Sequence, residues 1–401
     1  MWKKLLLVLT IIVLIIPAAY AKVLKFGMSA ALTGPAQSLG LQMKTGIDAY
    51  FQRINRMGGI YGNTLQLVVF DDRYEPYLSK RNVLQIADDT AILAIIGNVG
   101  TPTAIVSVPI VNEKKILLFG TLSGAKILRD IPTSRYVINY RASYAQETEV
   151  IVKALLDSGI KPNEMAFFTQ DDSYGNAGYL GIVQALQYAG YSKKVIDKIP
   201  HGRYTHNTVE IEDGLNEIIK HHKPIKAFII VGAYKPVAKF IKQAKQYYPE
   251  AYYLNVSFVG SEALLNSLCK QNLVLCDEFS KNIIITQVVP HYYSKLPAAK
   301  DFIKDLHQAF PHAKPSFVAF EGYIVAKLLV EGLKKAGSHP TRENLIDALE
   351  NLHKIDIGIG FPLILSKTKH QATDRVWPTI FQIMNSQVII QPMPTFKLKR
   401  R

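Results

Sequence analysis

Residues 26–124 open as Phe26-Gly27-Met28-Ser29-Ala30-Ala31-Leu32-Thr33-Gly34-Pro35 and close as Phe119-Gly120-Thr121-Leu122-Ser123-Gly124, and they decide the fold. They read strand, loop, helix three times over, followed by a fourth strand. The polar and glycine-rich turns fall where the strands end: Thr33-Gly34-Pro35, Asp71-Asp72, Gly97-Asn98-Val99-Gly100-Thr101 and Gly120-Thr121-Leu122-Ser123-Gly124. In an open parallel sheet, the carboxyl ends of the strands are where ligands sit.

Working outward, strands are predicted over 22–29, 65–70, 92–96 and 116–119. Helices are predicted over 40–57, 76–87 and 102–112. In the first of them Met43, Ile47, Tyr50, Phe51 and Ile54 share one face, and Gly58-Gly59 stops it. The pattern restarts with helices over 145–156, 175–188, 209–219 and 235–247 and strands over 165–169, 195–199 and 227–231. A strand over 283–288 follows, then helices over 298–310, 316–335 and 342–349. Strands near 361–365 and 377–384 close the chain. Alternation of this kind predicts α/β architecture with parallel sheets and right-handed crossovers. No Pro/Ser-rich linker separates the two units, so several strand crossings are expected to join them.

The first 21 residues read as a leader. Trp2-Lys3-Lys4 is a basic start, 5–16 is a twelve-residue apolar run too short for a comfortable span, Pro17 breaks it, and Ala19-Tyr20-Ala21 supplies a cleavage site after Ala21. No cysteine follows to carry a lipid anchor. The 380 residues beyond exceed one core and predict two domains. Net charge is +15; without Lys3 and Lys4 it is +13, from 45 basic and 32 acidic residues. The charge is dispersed and no basic helix stands out, which argues against a nucleic-acid partner. Cys269 and Cys276 are the only cysteines, and their spacing leaves both a small disulfide loop and free thiols open.

No P-loop is present, no GxGxxG follows the first strand, and Gly120 to Gly124 does not match a GxSxG elbow. His201 with His206, and the pair His221-His222, lack a third ligand at useful spacing, so neither a metal nor a cofactor is expected. Asp71-Asp72 and Asp88-Asp89 sit at element ends, where capping explains them. The chain is read as a binder, not an enzyme.

Several segments in fixed order resemble the leucine/isoleucine/valine-binding protein family, the type I periplasmic receptors of ABC importers. They are Thr33-Gly34-Pro35, Gly46-Ile47-Asp48-Ala49, Ile54 to Gly62, Asp71-Asp72, Arg141 to Tyr144, Gln170 to Gly175, Val231 to Pro236, Ser257 to Gly260 and Glu321-Gly322-Tyr323. The resemblance covers nearly all of 22–390. It implies two Rossmann-like lobes, 22–140 plus 288–371 and 141–287 plus 372–401, joined by three crossings near Tyr140, Val288 and Gln371 and closing as a hinge. It implies a monomer in the periplasm that takes a small amino acid, amide or carboxylate and hands it to an inner-membrane ABC permease. The alternative is a receptor that reports occupancy to a membrane signalling partner.

The resemblance also implies the site. Thr101 opens a helix after a buried strand, where a hydroxyl suits a ligand carboxylate or serves as a plain N-cap. Leu122 and Ser123 hold the ligand through backbone and hydroxyl groups, or satisfy a turn. Arg141 clamps an acidic ligand group, or ties the lobes through Glu147 or Asp172. Tyr144, Tyr174 and Tyr234 offer flat walls with a hydroxyl, or pack as core. Asp172 is a helix cap or a cleft acid. Ser257 stands where the amino-acid binders carry the acid that holds the ligand ammonium, a role a neutral hydroxyl does not fill. Asp172 and Glu321 are the substitutes within reach, and the other resolution is a ligand without an ammonium.

Overall fold

The computed structural model describes residues 22–269, 273–385 and 387–398; the expected leader lies outside them. Strands β1 (Val23–Ala30), β2 (Thr64–Asp71), β3 (Ile92–Ile96), β4 (Leu117–Phe119) and β5 (Val137–Ile138) form the first sheet. Its order is β2-β1-β3-β4-β5, with every pair parallel. Helices α1 (Gln37–Arg56), α2 (Pro76–Asp88) and α3 (Thr101–Lys114) are its crossovers.

The second unit follows with α4 (Tyr144–Asp157), β6 (Met165–Asp171), α5 (Ser173–Tyr188), α6 (Lys193–Ile196), β7 (His201–Thr205), α7 (Glu212–Ile219), β8 (Ala227–Val231) and α8 (Tyr234–Ala244). It continues with β9 (Tyr252–Asn255), α9 (Ser261–Cys269), α10 (Leu273–Ser280) and β10 (Ile283–Gln287). The chain returns to the first unit with α11 (Pro297–Ala309), α12 (Phe317–Ala336), α13 (Arg342–Glu350) and the antiparallel pair β11 (His353–Ile355) and β12 (Leu363–Leu365). It closes with β13 (Trp377–Met384) and β14 (Gln387–Pro392) in the second sheet, whose order is β14-β13-β10-β9-β8-β6-β7. Strands β6 to β10 pair in parallel, while β13 runs antiparallel to both β10 and β14.

The central strands are continuous apolar runs because helices cover both faces. β8 is Ala-Phe-Ile-Ile-Val and buried throughout, as is β10. Helix α12 is apolar on most of its circumference for a related reason: it packs against α1 on one side and α13 on another. The contact with α1 is backbone to backbone. A Cβ on Gly46 would lie 1.8 Å from the Ala319 carbonyl oxygen, and one on Gly322 would lie 2.4 Å from that of Met43.

Three chain segments run side by side between the sheets. Asn139 bridges to Gln371, the Ala372 and Thr373 N–H groups donate to the Asn139 and Tyr140 carbonyls, and the Tyr140 hydroxyl donates to the Val288 carbonyl at 3.1 Å. Cys269 and Cys276 are bonded, with Cα atoms 4.6 Å apart, linking α9 to α10.

Two expectations need correction. The run 195–199 is not a strand: its first residues end the short helix α6, and the strand is β7, a few residues later. β7 is an edge strand with Gly202 and Tyr204 buried and His201 and Arg203 only half-buried, so its composition is polar. The apolar residues before it belong to a turn of helix in which Val195 is exposed. The chain does not close with β13 either, since β14 adds a hairpin partner. Strands β5, β9 and β11 and helices α9 and α10 were not anticipated. Among the described residues no helix is long and apolar enough to cross a membrane.

Replacing Gly46 by Ala should destabilise the fold by about 1–3 kcal/mol or more, because the added methyl meets a carbonyl oxygen and not a yielding side chain. Urea unfolding of the variant against the parent protein checks this.

Candidate functional site

The loops after β3 and β4 face the loops after β6, β8 and β9, and the expected site residues lie in them. Gly100 precedes α3 with φ of 107°, a backbone that glycine adopts freely, and a Cβ there would meet the Tyr74 ring at 2.3 Å. Thr101 begins α3, and its hydroxyl is 2.7 Å from that of Ser123. The Tyr144 hydroxyl lies beside both, is buried, and completes no hydrogen bond with a described residue. Three hydroxyls therefore meet at the N-terminus of a fourteen-residue helix, where negative charge is favoured. Leu122 does different work. Its N–H donates to the Asn98 carbonyl and its own carbonyl accepts from Gly100 N–H, so its backbone laces the two loops together.

Arg141 is buried at the crossing after β5. Its guanidinium lies 3.3 Å from Glu147 and 3.6 Å from Glu321, and it donates to the Ser257 hydroxyl. No contact to Asp172 forms, so of the two tying partners considered, Glu147 is the one engaged. Glu147 also accepts from the Ser257 N–H at 2.7 Å, the Ser257 hydroxyl at 3.0 Å and the Thr286 hydroxyl at 2.6 Å. Ser257 thus bonds to a buried carboxylate and a buried guanidinium. Burial pushes the Glu321 carboxyl up to about 7, against the pull of Arg141. Arg129, lower in the same region, donates only to neutral oxygens: Gln371 Oε1, the Ala125 carbonyl, and the Ser123 and Arg141 carbonyls. Burial and the nearby Arg141 lower its pKa to about 9.

Asp172 is both cap and cleft residue. Its Oδ1 accepts from Tyr174 and Gly175 N–H at the start of α5. Its Oδ2 accepts from Gln170 and lies 2.6 Å from His206 Nδ1. The other ring nitrogen of His206 is 3.0 Å from the Tyr74 carbonyl. Tyr74 and the neighbouring Arg73 both hold left-handed φ values, of 65° and 53°. Asp72 and Asp71 fix them by accepting from the two N–H groups at 2.9 Å. Burial raises the Asp72 carboxyl to about 6.

The aromatic residues form one chain across the two units. Tyr144 lies 5.2 Å from Tyr174, Tyr174 4.6 Å from Phe258, Phe258 6.0 Å from Tyr74, and Tyr74 4.8 Å from the His206 ring. Tyr234 sits further out, its hydroxyl accepting from Ser38 N–H at 3.3 Å. Sequence reasoning missed Tyr74, Phe258, His206 and Arg129 as parts of this region, and named Glu147 only as one of two partners for Arg141. The available signal for two of them was position: Tyr74 follows the Asp71-Asp72 strand end, and Phe258 adjoins Ser257.

A groove of about 430 Å³ opens between α3 and α5 and reaches Thr101 and Tyr144. A larger hollow of about 620 Å³, walled by Ile160, Pro224, Tyr248 and Tyr252, lies at the opposite end of the second sheet, away from the strand carboxyl ends where ligands bind.

Two parallel-sheet units linked by adjacent crossings, with a site between their strand ends, define a two-lobed binding-protein fold. A family model described as periplasmic binding protein matches residues 23–383, and the chain belongs to that family, in its leucine/isoleucine/valine-binding branch. It is 22% identical over 321 residues to the Leu/Ile/Val-binding protein of Escherichia coli, covering 79% of this chain and 81% of that one. It is 25% identical over 347 residues to the Leu/Ile/Val-binding protein BraC3 of Rhizobium johnstonii, covering 86% and 88%. The crystal structure of a possible leucine/isoleucine/valine-binding protein from Rhodopirellula baltica superposes with a TM-score of 0.86 at 41% identity, covering 93% of this chain and 96% of that one.

Because Glu321 titrates higher in the folded protein than its usual 4.5, the folded state holds that proton more tightly than the unfolded chain does. Its contribution to stability therefore falls as pH rises from about 4.5 to about 7, by up to roughly 3 kcal/mol. Glu321→Gln should lose that slope. Melting temperatures of variant and parent, compared from pH 5 to pH 8, should shift in favour of the variant as pH rises.

Proposed function

We propose that the mature chain, freed of residues 1–21, captures a small amino acid, amide or carboxylate in the periplasm and presents it as a closed monomer to an inner-membrane ABC permease. The lobes are 22–140 plus 288–371 and 141–287 plus 372–401, and the three neighbouring crossings are the hinge. No bond is made or broken. Capture is binding followed by closure, and the closed pair of lobes is the form the permease meets.

The observation that carries this reading is convergence. Thr101 and Ser123 come from the first unit, and Tyr144, Tyr174, Phe258 and Tyr234 from the second. Contacts across the cleft support closure: His206 to the Tyr74 carbonyl, Asn207 to Glu75 at 2.6 Å, and Tyr234 to Ser38. The names of the relatives, which bind leucine, isoleucine and valine, point to the same size of solute.

A thermal-shift screen of the mature protein against amino acids, amides and carboxylates tests the reading, since a ligand that binds only the native state raises the melting temperature. At least one compound should raise it by several degrees. Tyr234→Ala should erase the ligand-induced shift measured against its own unliganded melting temperature, which burial of Tyr234 makes lower than that of the parent.

Closure should also depend on pH. His206 faces Asp172, Gln170, Glu75 and Tyr74. Burial lowers its pKa, but the Asp172 hydrogen bond and charge outweigh that and raise it above 6.5. With a carboxylate on one ring nitrogen and a carbonyl on the other, the imidazolium makes both bonds. Its contribution is complete below about pH 6.5 and is lost as pH rises through the raised value. Ligand release measured by stopped flow should quicken across that rise in the parent and show no such step in His206→Gln.

A further inference from the structure

We propose that the ligand is an organic anion without an ammonium group, its carboxylate among the hydroxyls of Thr101, Ser123 and Tyr144 and its apolar body in the groove between α3 and α5. This rests on the capture reading above and narrows it to one chemistry.

The first argument is that the acids around Arg141 and at the start of α5 are already committed. Glu147 is held by Arg141, Ser257 and Thr286, and Glu321 faces Arg141. Asp172 caps α5 and pairs with His206. A ligand ammonium brought here would have to break one of these arrangements or remain unpaired while buried, and a buried unpaired charge is strongly disfavoured.

The second argument is the groove's own chemistry. Its walls carry two cations, Lys126 and Arg129, and no carboxylate. The four acceptors around Arg129 are neutral, so its charge is uncompensated by any of them. The Tyr144 hydroxyl, buried and without a described partner, lines the inner end and supplies a donor for a carboxylate oxygen. The rest of the wall is largely apolar. Ile105 on α3 and Leu180 on α5 face each other's helix across it and stay 40% and 64% exposed, so an apolar ligand body would cover surface now open to water.

Calorimetric titration of the mature protein with matched probes decides this. Leucine and 4-methylpentanoate have the same carbon skeleton and differ only in the ammonium, and 3-methylbutylamine keeps the ammonium without the carboxylate. The acid should bind at least tenfold more tightly than leucine, and the amine should show no binding. Tyr144→Phe should weaken the acid about tenfold. Leu180→Glu, at an exposed position, should do the same by placing a carboxylate in the groove. Leucine binding as tightly as the acid or more tightly would overturn the proposal while leaving capture intact. Full affinity for the acid in Leu180→Glu would overturn the groove assignment. An absence of binding by every probe, together with an empty thermal-shift screen, would remove both this proposal and the capture reading.

Discussion

The architecture turns on one buried guanidinium. Arg141 lies where the chain leaves the first sheet, and it touches Glu147 on α4 and Glu321 on α12, one from each unit. Taking three charges out of water is costly, and such a cluster is a weak source of net stability. What it supplies is registration. The first turn of α4 carries Glu147, which anchors the Ser257 backbone and the Thr286 hydroxyl, and those set the ends of β9 and β10 beside the cleft. The floor between the two sheets is therefore polar, interlocked and of fixed geometry, while the walls above it are aromatic.

That division explains what the sequence could and could not convey. Four of the five strands of the first sheet were legible because each is a short apolar run closed by a turn, and the loops after β3 and β4 carry the hydroxyls that meet at Thr101 and Ser123; β5, of two residues, was too short to read. Burial of β3, β8 and β10 on both faces made their composition unambiguous. β7 was misplaced because an edge strand beside solvent needs only two inward residues, and one of them is glycine. β9 was overlooked because four residues, two of them tyrosine, give too short a pattern to separate from the turn before it.

The site divides in the same way. Thr101 and Ser123, named from their own loops, do meet in the structure. Pairings between residues far apart along the chain were not foreseen. Tyr74 meets His206 across 132 positions, and Glu147 meets Ser257 across 110. Neither pairing leaves a local trace. Ser257, read as standing in place of an acid, has one beside it: the carboxylate comes from α4 and is spent on Arg141 and the Ser257 backbone.

The glycine contact between α1 and α12 bears on the order in which this molecule can assemble. Helix α1 is made early, yet the surface it presents to Ala319 and Tyr323 is matched only by residues near the far end of the chain. Until that segment emerges, the opening unit has a sheet with one flank bare, and it cannot reach its final density whatever the strength of its local pairings. The intervening second unit waits as well, because β13 and β14 join its sheet only at the end of the chain. Neither half is thus sealed while the chain is being made, and both are finished by its final stretch.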